Sequence, residues 1–173
     1  MNQKHTGNRT PPMQTKIYGI KIDTLNSNPE TALTYTDDAI GFTPAKMNFT
    51  TDSFEYGSWQ DKFPFNQIKP CVLKNGVVNY YLNPNDYTKK IDGSNADITS
   101  GNDGDVMVEF PKIWWKFETI GNDLYIRYSN EKVDSDFECL AHTRGTDERS
   151  SIYVSAYMGH DLSSKLISLS RRM

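Results

Sequence analysis

Apolar and polar residues alternate with period two along much of this chain, the pattern of strands that bury one face. In "KIYGIKI" (16–22), Ile20 and Ile22 keep that period and predict a first strand. "IKPCVLKNGVVNYYLNP" carries two β-prone runs, Cys71 to Leu73 and Val77 to Leu82, on either side of Asn75-Gly76. Asn-Gly accepts the positive φ angles of a tight type I′ turn, so these runs predict an antiparallel hairpin. A second hairpin is expected between 106–117 and "LYIRYS" (124–129) across "TIGND", and "SIYVSAYMG" (151–159) reads as the last strand. "SNPETALTYTDDAIGFTP" mixes Asn28-Pro29, which can open a helix, with strand-favouring Thr31, Thr34, Tyr35 and Thr36, and is read as a turn and a short strand. "DLSSKLISLSRR" (161–172) has helical spacing, with Leu162, Leu166 and Leu169 at i, i+4, i+7. The expected fold class is mainly β, of α+β type, built from antiparallel hairpins.

The run "DGDVMVEFPKIWWKF" (103–117) changes phase along its length. Val106, Val108 and Phe110 occupy even positions, whereas Ile113, Trp115 and Phe117 occupy odd ones. Proline donates no ladder hydrogen bond, and a bulge at Pro111 would supply the extra residue such a slip needs. Trp115 is then a core residue beside Ile113 and Phe117, and Trp114 stands on the opposite face between Lys112 and Lys116. Lys112, Trp114 and Lys116 are therefore the candidate contact residues. A neighbouring element or subunit covering the indole is the commoner use of such a residue, and an aromatic platform for a sugar is the sharper one.

Composition narrows the classes. The 173 residues include ten tyrosines and are 12% aromatic but only 36% hydrophobic, which suits strands better than helix bundles. The formal net charge of −3, with cations spread along the chain, gives no footprint for nucleic acid. No run is apolar enough for membrane insertion, and the N-terminus lacks a signal-peptide core, so synthesis in a cytoplasm is expected. Residues 1–15, with Pro11 and Pro12, read as a flexible N-terminal arm, 16–104 as a β-rich region and 105–173 as a second β region. Cys71 and Cys139 are far apart without CxxC spacing and read as free buried thiols.

Candidate chemistry is sparse. Cys139 and His142 have half the spacing of a zinc site, and Cys71 and His160 would have to complete it; a buried thiol and a surface histidine are the expectation instead. Asp92, Asn95, Asp97, Asp103 and Asp105 offer oxygen ligands, but their spacing departs from an EF-hand and suits a solvated loop. Glu109 and Glu118, read on one continuous strand, lie too far apart for a glycosidase pair. No nucleophile elbow, P-loop or dinucleotide fingerprint is present. No catalytic residue, metal or cofactor is expected.

"SNPETALTYTDDAIG", "IKPCVLKNGVVNYYLNPNDYTKK", "GDVMVEFPKIWWK" and "IYVSAYMG" together resemble bacteriophage and prophage tail proteins, the tail fibre or receptor-binding components of phages of Gram-positive bacteria. The resemblance covers most of residues 16–167. It implies a virion-attaching or spacer region over 16–104 and, from "GDVMVEFPK" on, the opening of a C-type-lectin-like domain. It also implies a homotrimer bound to other tail or baseplate proteins, located in the virion and made in the host cytoplasm, that serves assembly and host attachment. The family's Gly-, Trp- and Asn-rich second lectin half does not follow before Met173; if the chain ends there, assembly rather than receptor reading is the implied role, whereas a frame that continues would make receptor binding the leading one, and no receptor-contacting residue carries over. A carbohydrate-binding module reading host cell-wall glycan through Trp114, and a cell-wall hydrolase appendage, are the alternatives.

Overall fold

The computed structural model describes residues 15–170. Of the arm expected over 1–15, only Thr15 falls within them. The chain forms antiparallel sheets, and its one α-helix among the described residues is four residues long.

A four-stranded sheet has the order β2-β1-β10-β9, from β1 (Ile17–Asp23), β2 (Leu33–Asp37), β9 (Trp114–Ile120) and β10 (Asp123–Ser129). Its register explains its amphipathicity. Tyr18 faces Tyr128 and Ile20 faces Ile126 across β1 and β10, while Trp115 and Phe117 continue the same rows on β9. The opposite face is ionic: Arg127 bridges Asp37 at 3.0 Å and Glu118 at 2.9 Å, and Lys21 meets Asp123 at 3.2 Å. The apolar face is roofed by the 38–68 segment, which includes β3 (Lys46–Asn48) and β4 (Ser53–Glu55). From this roof, Phe42 and Trp59 pack on Tyr18 with ring centroids 5.9 Å away.

The second sheet has the order β13-β8-β5-β6-β7, from β5 (Lys69–Lys74), β6 (Val77–Asn83), β7 (Asp86–Lys90), β8 (Asp105–Pro111) and β13 (Ser151–Ser155). The Asn-Gly hairpin is present as β5 and β6, with Asn75 at φ 53° and Gly76 at φ 79°. Val72, Leu82, Ile98, Val106 and Leu169 form its core. Each sheet takes strands from both sides of residue 104. Short ladders complete the β structure: β11 (Thr143–Arg144) with β12 (Asp147–Glu148), and β14 (His160–Leu162) with β15 (Lys165–Ile167).

Three expectations are corrected. The tryptophan run is not one strand: β8 lies in the five-stranded sheet and β9 in the four-stranded one, so the phase slip is a change of sheet through Lys112 and Ile113. Only 114–120 pairs with β10; 105–111 pairs with β5 and β13. Second, residues 29–32 are helical: the Asn28 side chain accepts from the Glu30 N–H and Pro29 opens the turn, before the expected short strand follows. Third, the helix expected over 161–172 is absent from its described part, 161–170, because Ser163 and Ser164 turn at φ 53° and 64° between β14 and β15. Beyond that turn Ser168 accepts the Val106 N–H at its carbonyl and donates its hydroxyl to the Val106 carbonyl, both at 2.8 Å. That pairing sends Leu169 into the core and leaves Leu166 81% exposed.

Candidate functional site

The sheet change sets the surroundings of both tryptophans. Trp114 is half-buried, and its ring carries two ammonium groups of its own chain, Lys112 Nζ at 5.8 Å and Lys132 Nζ at 5.5 Å from the centroid. Lys132 was not among the candidate residues; nothing local in the sequence ties it to Trp114. Lys112 also pairs with Glu148 at 3.0 Å. Lys116 turns away from Trp114 to Asp134 at 3.2 Å and Asp136 at 2.9 Å, and these hydrogen bonds, Asp136 first, raise its pKa. Lys112 and Trp114 thus come together in the structure and Lys116 does not join them.

Trp115 packs its ring against Tyr128 at 5.3 Å. Ile113 is buried as expected, but Phe117 is 65% exposed and is not a core residue. The reason is that β9 is the sheet edge, and the roof over Tyr18 and Tyr128 does not reach it. Phe117 and Trp115 stack at 21° and 6.2 Å along the floor of a cleft of about 220 Å³. Glu138, Leu140 and Ala141 form its other wall. Glu138 is fixed there by exchanging both backbone hydrogen bonds with Trp115 at 2.8 Å. In an antiparallel pair of this kind the two side chains share a face.

A second apolar surface lies at the roof. Met47 opposes Phe54 across β3 and β4, and Phe54 meets Tyr56 edge-on at 4.9 Å. Phe49, Phe54, Tyr56 and Phe65 are exposed, Phe49 by 88%. Phe54, Tyr56 and Phe65 open onto a groove of about 360 Å³ floored by Tyr35, Trp59 and Tyr128. Burial pushes the Tyr128 phenol pKa far up, so it stays neutral.

Glu109 and Glu118 lie in different sheets, each with structural partners. Glu109 accepts from Tyr81 Oη at 2.8 Å and Tyr153 Oη at 3.2 Å, and its hydrogen bond, aided by burial, pushes the Tyr81 phenol to about 12. The 92–105 carboxylates already have partners: Asp92 and Asp97 cap local turns, accepting from Ser94 and from Thr99 and Ser100, while Asp103 accepts from Tyr80 and Asp105 from the Ser168 N–H across the fold. Cys71 and Cys139 are buried free thiols, and burial raises Cys71 to about 11. His142 is buried rather than superficial, because the 3₁₀ turn Leu140–His142 tucks it inward. Neither ring nitrogen has a partner in hydrogen-bond geometry; burial lowers its pKa against the opposing pull of the Phe110 and Pro111 carbonyls. Among the described residues, no three His, Cys, Asp or Glu side chains are grouped to hold a metal ion, and no helix is long and apolar enough to cross a membrane.

Comparison of the chain with family models, with curated proteins and with solved structures finds no match.

Proposed function

We propose that this chain is a non-enzymatic structural protein of a phage tail tip or fibre, acting in virion assembly and host attachment, with residues 105–173, which supply strands to both sheets, as its lectin-like part. The observation that carries the reading is the aromatic roof surface. Phe54, Tyr56 and Phe65 are exposed together around a groove and Phe49 is exposed on the turn joining β3 to β4, although a monomeric soluble protein of this size ordinarily scatters its exposed apolar groups. Such a surface suits a subunit contact, either in a homotrimer or against another tail or baseplate protein. The ammonium groups over Trp114 occupy the ring that a sugar platform would need free, so assembly is favoured over glycan reading at that site.

Two measurements test this. Light scattering at micromolar concentration should report an oligomer that Phe49→Asp with Phe54→Asp dissociates without loss of the β circular-dichroism spectrum. Immunogold labelling should place the chain on the tail of purified phage particles. A stable monomer combined with unlabelled particles would defeat the proposal.

A further inference from the structure

We propose that the cleft of Trp115, Phe117 and Leu140 binds a quaternary ammonium group, with Glu138 as its counter-ion. Three observations converge on this chemistry. The cleft is walled by apolar surface, with Phe117 65% and Leu140 74% exposed, and it has room for a trimethylammonium head on a short tether. Its one ionisable lining residue is Glu138, whose backbone is locked to Trp115 so that the carboxylate shares the face of the two rings. Last, the positive partner is missing. Tyr80, Tyr81, Trp114 and Tyr125 each carry a lysine or arginine of this chain over the ring. Among the described residues no cation stands over Trp115 or Phe117, and none pairs with Glu138.

Aromatic faces attract cations through the ring quadrupole, and a nearby carboxylate supplies the full charge. The apolar walls select among cations. A compact primary ammonium is strongly hydrated and would leave donors unpaired against Leu140 and Ala141. A methyl-covered cation has no N–H to satisfy and gains from burying its methyl surface. The inference is independent of any virion role.

The test uses the full chain and three probes: choline, ethanolamine, and 3,3-dimethyl-1-butanol, which has the shape of choline without its charge. Binding is followed through the Trp115 indole N–H resonance. Choline should give a saturable shift in the millimolar range, with both other probes weaker by about tenfold or more. Glu138→Gln and Phe117→Ala should each weaken choline about fivefold to tenfold, while the remote charge change Glu30→Gln leaves it unaltered. Phe117 is exposed, so its truncation keeps the fold, which an unchanged circular-dichroism spectrum verifies. The proposal is overturned if choline fails to saturate, if the neutral isostere binds equally well, if ethanolamine binds more tightly than choline, or if Glu138→Gln has no effect.

Discussion

Truncating two leucines three positions apart separates the observed C-terminal hairpin from a helix over the same residues. Leu169 is 2% exposed and packs with Val72, Leu82, Ile98 and Val106, whereas Leu166 is 81% exposed. A leucine-to-alanine change in a closed core costs about 2–5 kcal/mol through lost transfer energy and the cavity left behind. At about 3 kcal/mol, and about 2–4 °C per kcal/mol for a chain of this length, Leu169→Ala should melt roughly 6–12 °C below the parent. Leu166→Ala should change stability by less than about 0.5 kcal/mol. Urea unfolding followed by tryptophan fluorescence gives both values, provided the slope with denaturant is unchanged. A helix would place residues i and i+3 on one face and make the two losses similar. Equal losses, or a Leu169→Ala cost under about 1 kcal/mol, would therefore refute the hairpin and the docking of Ser168 on β8.

Two further outcomes follow from titratable groups with shifted pKa values. His142 is held neutral, with a folded pKa below its ordinary 6.5, so the unfolded chain takes up the proton first. Stability should be full above that ordinary value and decline as pH falls through it toward the lower folded value; urea midpoints at neutral and mildly acidic pH should show a slope that His142→Gln abolishes. The Tyr81 phenol, raised from 10.0 to about 12 chiefly by its hydrogen bond to Glu109, contributes stability that is present below the unfolded pKa and lost as pH rises through the folded one. Glu109→Gln should bring the Tyr81 titration back toward its ordinary value in an alkaline NMR titration, and an unmoved Tyr81 would show that the carboxylate is not the cause.

What the sequence conveys depends on whether the deciding interaction is local. Asn75-Gly76 encodes its turn in two residues, and the hairpin around it forms as expected. The phase change at Pro111 is likewise visible, but a slip of one residue looks the same whether a strand bulges or passes into another sheet. Only the partners of 105–111 and 114–120 distinguish those cases, and they lie far away in the chain. Phe117 keeps the period of a core strand, yet its exposure is decided by where the 38–68 roof ends. In 161–172 the spacing from Leu162 to Leu166 is even, and so fits a strand as well as a helix. The turn is made by two serines in a conformation usually signalled by Gly or Asn, so the usual marker is missing. The cleft was equally hidden, because Glu138 and Leu140 reach Trp115 through a single bridge that no local pattern announces.

The pairing of β1 with β10 also has a consequence for the chain during its synthesis. Ile17 finds its ladder partner in Ser129, and Asp23 finds Asp123. β2 can pair with β1 almost as soon as it emerges, but the other edge of β1 waits for roughly 100 more residues, about 5–20 s at ordinary translation rates. During that interval a two-stranded ribbon bearing Tyr18, Ile20 and Tyr35 presents an unpaired edge at the ribosome exit. The nascent protein is thus most exposed to strand pairing between neighbouring copies on one polysome, before β10 closes the sheet.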